Sequence, residues 1–249
     1  MKHLVFVLSL VWTLFAGFLH GNEADDSFRV LVFSKTGGFR HASIENGVTA
    51  VKELGAANDF AVEAGEDASI FNEKDLDRFQ VVVFLNTTGN ILDESQKEAF
   101  EKFIQEGGGF VGIHAAADTE YDWDWYGRLV GGYFKSHPQV QEAIIDVENR
   151  NHPATVHLPE KWKRTDEWYN YRVNPRSRGV QVLMALDTES FSGSEMGDDH
   201  PIAWFHEFDG GRAFYTGLGH TPEGFEEEAF RKHLLGAIRW AAGVESATD

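Results

Sequence analysis

Short apolar runs alternate with amphipathic stretches through the first half of the chain. Arg29 to Phe33 (RVLVF) is β-branched and aromatic and ends at polar Ser34, which predicts a first strand. Ile44, Val48, Val51 and Leu54 share one face at helical spacing, so a helix is expected from about Ser43 to Leu54. Phe60 to Glu63 reads as a second, short strand, and Gln80 to Leu85 (QVVVFL) as a third whose unbroken apolar run fits burial on both faces of a parallel sheet. Asp93 is placed to cap the next helix, Leu92, Ala99, Phe100, Phe103 and Ile104 form its stripe, and Gly107 suits its end. Gly109 to Ile113 (GFVGI) then reads as a fourth strand running directly into His114. Strands and helices alternating in this way predict βαβ units, with helices on both faces of a parallel sheet.

The pattern changes after about residue 138. Gln141 to Val147 and Val180 to Leu186 read as strands with no helix between them. Ile202 to Phe208 and Arg212 to Thr216 form a hairpin pattern around Asp209-Gly210-Gly211. A final helix is expected over about Glu226 to Ala242, with glutamates at its positive end and Phe230, Leu234, Ala237, Ile238 and Ala241 on its buried face. The expected fold is therefore α/β: a mainly parallel sheet with helices on both faces, plus antiparallel additions in the C-terminal half.

The N-terminus differs from the rest. Lys2 and His3 precede an almost continuous apolar run, Leu4 to Phe18, and polar residues follow from His20. This is the layout of a secretory signal peptide, and the run is shorter than the roughly 20 residues of a membrane span. The expected organisation is a signal peptide over residues 1–24 and a single domain over 25–249. The mature protein is expected to be periplasmic or secreted, with no stable membrane span after cleavage.

Of 249 residues none is cysteine, which excludes disulfides, thiolate metal sites and a cysteine nucleophile. The formal net charge of −18 repels phosphate backbones and argues against nucleic acid as a partner. Neutral or cationic small molecules fit such a field better.

In open parallel sheets ligands bind beyond the carboxyl ends of the strands. The residues following the predicted strands there include Arg40 and His41, then Thr87, then His114 and Asp118, and finally His220. Three of these four groups contain histidine. Gly112-Ile113-His114-Ala115-Ala116 has the form of a nucleophile elbow, a strained turn that lifts one side chain above the sheet. With His114 at the tip, acid–base chemistry or metal binding replaces thiol attack. Asp118 opens a segment in which carboxylates alternate with Tyr121, Trp123 and Trp125; rings stack on the apolar faces of sugars and carboxylates accept their hydroxyls. Asp166 and Glu167 precede Trp168 and Tyr169, an arrangement that can raise a carboxyl pKa, and Asp118 with Glu167 could form the carboxylate pair of glycoside chemistry. His41, His114, His137 and His220 could together hold a divalent metal such as zinc or manganese, although no compact ligand spacing requires it.

The segments GGFRH (37–41), GGGFVGIHAAADT (107–119), GGYFKSHP (131–138), TDEWY (165–169), HPIAW (200–204) and GRAFYTGLGH (211–220) together resemble the trehalose-utilisation (ThuA-like) family of the class I glutamine amidotransferase-like superfamily. The resemblance spans most of the chain beyond the N-terminal run. It implies a flavodoxin-like fold and a link to the metabolism of trehalose and related disaccharides. Class I amidotransferases carry cysteine at the elbow in a Gly-x-Cys-x-Gly context; here His114 and Ala116 stand instead, so glutaminase activity is not expected. Their triad histidine and glutamate lie near His220 and Glu223, which suggests Glu223 as an orienting partner for His220.

These observations lead to an expected enzyme that cleaves or modifies a disaccharide or 3-keto-glycoside by His/carboxylate acid–base chemistry. His114, His220, Asp118 and Glu167 are the expected catalytic residues, and His41, Arg40, Thr87, Trp123, His137, Asp166, Trp168 and Tyr169 the expected contacts to a small carbohydrate. The rival readings are a non-catalytic sugar-binding protein on the same scaffold and a metal-assisted hydrolase.

Overall fold

A computed structural model describes residues 28–244; the predicted signal peptide lies outside the described residues. Among the described residues no helix is long and apolar enough to cross a membrane.

The first half alternates as its hydrophobic pattern predicts. The elements are β1 (Arg29–Phe33), α1 (Ile44–Ala57), β2 (Ala61–Gly65), α2 (Glu73–Leu76), β3 (Val81–Leu85), α3 (Glu94–Gln105), β4 (Gly109–Ile113) and α4 (Asp124–Val130). Helix α3 begins in a reciprocal capping box: the Asp93 side chain accepts from the Gln96 amide while the Gln96 side chain accepts from the Asp93 amide. All residues of β3 and β4 are buried. Successive residues of a strand face opposite ways, and β3 shows both coverings. Leu85 meets α1 at Gly47, where an added Cβ would lie 2.8 Å from Leu85 Cδ1. Phe84 turns the other way, stacking at 5.3 Å on Phe100 of α3 and at 5.8 Å on Tyr126 of α4.

The second half supplies β5 (Phe134–Ser136), β6 (Gln141–Val147), β7 (Lys161–Asp166), β8 (Asn170–Tyr171), β9 (Gln181–Leu186), β10 (His200–Phe208), β11 (Gly211–Thr216) and α5 (Glu228–Ala241). Strands β10 and β11 form the expected hairpin, with Asp209 (φ 50°) and Gly210 (φ 99°) both left-handed, as its two-residue turn requires.

The nine-stranded sheet has the order β2-β1-β3-β4-β11-β10-β9-β6-β7. Strands β2, β1, β3, β4 and β11 run parallel, the flavodoxin-like arrangement, and β10 to β7 extend it antiparallel. A flat extension would leave β7 four strand spacings, roughly 19 Å, from β11. Instead Asp166 at the end of β7 accepts a hydrogen bond from the Gly219 amide, just past β11, at 3.0 Å. The extension therefore curls back over the carboxyl end of the parallel sheet, helped by register shifts between β9 and β10 around Ala203. This curl brings the loop after β7 to the loops after β1, β4 and β11.

Candidate active site at the carboxyl ends of the parallel strands

Backbone geometry presents His114. Chain direction reverses directly after β4, and His114 takes φ 48° at the start of a 3-10 helix, His114–Asp118. A non-glycine residue there carries strain on the order of 1–2 kcal/mol, held here by packing. The turn is tight: a Cβ on Gly112 would lie 3.2 Å from the Ala116 Cβ, so alanine at 116 is accommodated because 112 is glycine. Asn86, left-handed at φ 51° after β3, ties neighbouring loops together by donating to Ser43 Oγ at 3.0 Å and to the Gly219 carbonyl at 3.2 Å.

Four side chains converge above these turns. His114 Nδ1 lies 2.8 Å from the Gly217 carbonyl, an obligatory acceptor, so Nδ1 carries the proton. Its Nε2 then faces Glu167 Oε2 at 3.3 Å and His220 Nδ1 at 3.3 Å, and His220 Nδ1 is 3.2 Å from the same carboxylate oxygen. The His41 ring stands edge-on to both, with centroids 5.0 Å from His114 and 5.2 Å from His220, and its buried Nδ1 has no hydrogen-bond partner. His137 contacts the other oxygen of the carboxylate: its Nδ1 is 3.0 Å from Glu167 Oε1 and 2.8 Å from the Pro138 carbonyl. Both are acceptors, so Nδ1 is the protonated nitrogen and Nε2 holds the lone pair, on a side chain 42 % exposed at the mouth.

The electrostatics follow from crowding. Burial works to raise the Glu167 pKa, but the imidazoles crowded against it outweigh burial and hold the carboxyl well below its usual range. Burial lowers His220, yet contact with Glu167 reverses the direction and leaves its pKa raised. His41 falls to about 3 through burial and the neighbouring imidazoles, so it is neutral. Asp118 is raised by burial, against the opposing hydrogen bond from Tyr121 and the charge of Arg172.

Asp166 is the anchor beneath the cluster. It is buried and accepts four hydrogen bonds: from the Glu167 and His220 amides through Oδ1, and from the Gly219 amide and Arg164 Nη2 through Oδ2. One side chain thus fixes the backbone of two cluster residues.

The remaining expected residues divide clearly. Tyr169 packs on His114 with ring centroids 4.1 Å apart and belongs to the site wall. Arg40 stands in the same loop as His41, its guanidinium engaged by Glu45 and Glu66. Thr87 is buried and shares a hydrogen bond with Thr119 at 2.9 Å, closing the turn from beneath. Trp168 is fully buried, its Nε1 donated to the Gln141 carbonyl, and the half-buried Trp123 is engaged by stacking on Trp125 and Tyr126 and by the Lys97 ammonium 5.5 Å from its ring centroid. The carboxylate beside His220 is Glu167, not Glu223 of the following turn.

Phe39 was not among the expected contacts. Its ring is 66 % exposed and meets His41 edge-on at 4.9 Å. Thr88 holds its backbone, donating to the Phe39 carbonyl at 2.8 Å. An aromatic side chain between Gly37-Gly38 and Arg40-His41, outside any periodic apolar run, is the signal that marks it.

None of the curated proteins matches the chain in sequence. Among solved structures, a ThuA-like protein from Bacteroides uniformis is 27 % identical, covers 86 % of this chain and 91 % of its own, and superposes with a TM-score of 0.72. A ThuA-like protein from Parabacteroides merdae shares the fold at 21 % identity, with coverage of 90 % and 93 % and a TM-score of 0.73. A stretch amounting to 31 % of the β-galactosidase from Bacillus circulans sp. alkalophilus matches 87 % of this chain at 14 % identity and a TM-score of 0.55, a likeness of fold alone. The family model for trehalose utilisation, ThuA, matches residues 29–241, and the chain belongs to that family, whose name ties it to carbohydrate metabolism.

Proposed function

We propose that the chain is an enzyme that cleaves or modifies a neutral glycoside, a disaccharide or its 3-keto derivative, over the His114–Glu167–His220 cluster. The observation that carries this reading is the gathering of two imidazoles around one carboxylate oxygen within 3.3 Å, at the carboxyl ends of the parallel strands. Packing alone does not require such a set, because burying several ionisable groups together is costly.

The roles follow from proton positions. Glu167 holds His137 by Nδ1–H, as the carboxylate of a catalytic triad holds its histidine, and leaves Nε2 free as a base at the mouth. Asp118, whose pKa is raised, is suited to keep a proton and give it to a leaving oxygen. His220, whose pKa is raised, is the donor toward negative charge that develops on a substrate oxygen, and His114 Nε2, 3.3 Å from His220 Nδ1, positions it. In a 3-keto-glycoside the carbonyl acidifies the neighbouring C2–H. Removal of that proton by His137 gives an enolate, the C1–O bond breaks, and Asp118 protonates the departing sugar. Addition of water to the resulting enone completes a net hydrolysis. Phe39 supplies the apolar surface for a sugar ring that Trp123 and Trp168 do not.

The test is proton NMR of the protein with trehalose and with 3-keto-trehalose. Free sugar is expected from the keto substrate, with turnover at least about 100-fold lower in His114→Ala. Full turnover in that variant, or no product from either sugar, would refute the reading. The same proposal keeps the enzyme outside the cytoplasm, on the strength of the Leu4–Phe18 run; mass spectrometry of the N-terminus of natively expressed protein checks it.

A further inference from the structure

We infer that His41, His114, His220 and Glu167 form the binding site of one divalent cation with the preferences of zinc. The inference rests on the cluster being the reactive centre, and not on the identity of the sugar.

Three observations lead to it. The first is spacing. Metal–ligand distances near 2.0–2.1 Å place the ligand atoms of a tetrahedral zinc roughly 3.3–3.4 Å apart. Here the three edges among His114 Nε2, His220 Nδ1 and Glu167 Oε2 are 3.3, 3.3 and 3.2 Å. The fourth ligand atom, on His41, lies within 4.8 Å of all of them. Charge-assisted N–H···O bonds would instead close to about 2.7–2.9 Å.

The second is proton placement. With Nδ1–H given to Gly217, His114 meets Glu167 through Nε2, which is a lone pair in the neutral ring. The His114 Nε2 and Glu167 Oε2 lone pairs then face each other at 3.3 Å, an arrangement that needs either a proton on His220 Nδ1 or a cation among the three atoms. A single proton on His220 Nδ1 would be split between two acceptors at 3.3 and 3.2 Å, at the long limit of hydrogen bonding, whereas a cation at the centre answers all three atoms at once.

The third is an orphaned group. His41 is 95 % buried and its Nδ1 has no partner, although buried polar atoms are normally satisfied. It belongs to a ring placed edge-on to both other histidines.

The donor set itself selects the ion. Three imidazoles and one carboxylate suit zinc and its borderline neighbours, whereas magnesium and calcium prefer oxygen ligands. Outer contacts of the kind that support metal sites are also in place: Gly217 fixes the His114 ring, and His137 holds the second oxygen of Glu167. Bound there, the cation would polarise a sugar oxygen, the task given above to the cluster.

The experiment is isothermal titration of the chelator-stripped full chain with zinc, together with the visible spectrum of the cobalt(II) form. One equivalent is expected to bind, with the intense bands of a low-coordinate cobalt site. Affinity should fall at least about 100-fold in His114→Ala and at least about 10-fold in both His41→Gln and Glu167→Gln. His157→Ala, a histidine bonded to the Ala229 carbonyl outside the cluster, should bind as the parent does. Circular dichroism confirms folding, and zinc should raise the Tm of the parent but not of His114→Ala. Absence of binding by zinc, cobalt and manganese overturns the inference, as does binding that all three cluster variants retain. Stoichiometric binding without turnover of any sugar supports the metal site and removes the glycoside reading. Full sugar turnover by the stripped protein does the reverse.

Discussion

Replacing Asp166 by Asn tests whether one buried carboxylate holds the fold and the site together. The change is nearly isosteric. The retained oxygen can still accept from the Glu167 and His220 amides, but the new amide group points donors at the Gly219 amide and at Arg164 Nη2. Arg164 is buried between the rings of Trp162 and Phe230 and keeps only Glu227, at 3.3 Å, as a counter-charge. Breaking a buried pair on one side costs about 3–5 kcal/mol, a large part of the roughly 5–15 kcal/mol that stabilises a domain. With a urea m-value near 2 kcal/mol/M, the unfolding midpoint should fall by about 2 M. A cycle with Arg164→Met and the double variant should show coupling of at least about 2 kcal/mol, because the double variant no longer leaves a buried charge unpaired. The assay is urea unfolding followed by tryptophan fluorescence. A midpoint shift below about 0.3 M for Asp166→Asn, or strict additivity in the cycle, would refute the reasoning.

Three further outcomes are expected. In α5, Gly236 passes so close to the loop between β6 and β7 that a Cβ would lie 2.3 Å from the Pro153 carbonyl oxygen; Gly236→Ala should therefore lose about 2 kcal/mol despite alanine's better helix propensity, as thermal unfolding would show. Burial lowers the pKa of His233 to about 3 and of His152 to about 4, so the unfolded chain binds more protons below pH 6.5. Stability is complete above that pH and falls on acidification, by on the order of 2–3 kcal/mol per histidine at pH 4.5; an unaltered slope in His233→Asn would contradict this. Phe39→Ala should leave stability within about 0.5 kcal/mol while raising KM for the glycoside roughly tenfold, which separates a substrate contact from a structural one in a single set of kinetic and melting measurements.

Much of this was legible in the sequence wherever hydrophobicity itself reports the structure. The runs of β1, β3 and β4, the Asp93 cap and the Asp209-Gly210 turn stand where the patterning predicts them. Strand β7 (KWKRTD) was not legible, although it alternates faithfully. Its buried face is Trp162, Arg164 and Asp166, and two of these are a charge pair that no apolar count recognises. Missing β7 hid the curl of the sheet and hence why Glu167, rather than Glu223, stands beside His220. The histidines at strand ends were legible because a parallel sheet places its loops in known positions. Trp123 and Trp168 were not, since an aromatic ring beside carboxylates looks alike in sequence whether its face is open or packed against other side chains.

The position of β11 bears on how the chain is made. This strand fills the middle of the sheet, between β4 and β10, yet among the described residues only a short 3-10 turn (Pro222–Glu226) and α5 follow it. Its partner β4 precedes it by about a hundred residues, with Thr216 set against Ile113. During synthesis the parallel half and the antiparallel half therefore wait for a keystone, each with an open strand edge at the place where the other will join. His220 leaves the ribosome just behind that strand, so the cluster can close only as the gap closes. A chain stopped before Gly211 would carry both exposed edges and no competent site, which makes premature termination a route to aggregates rather than to a partly active fragment.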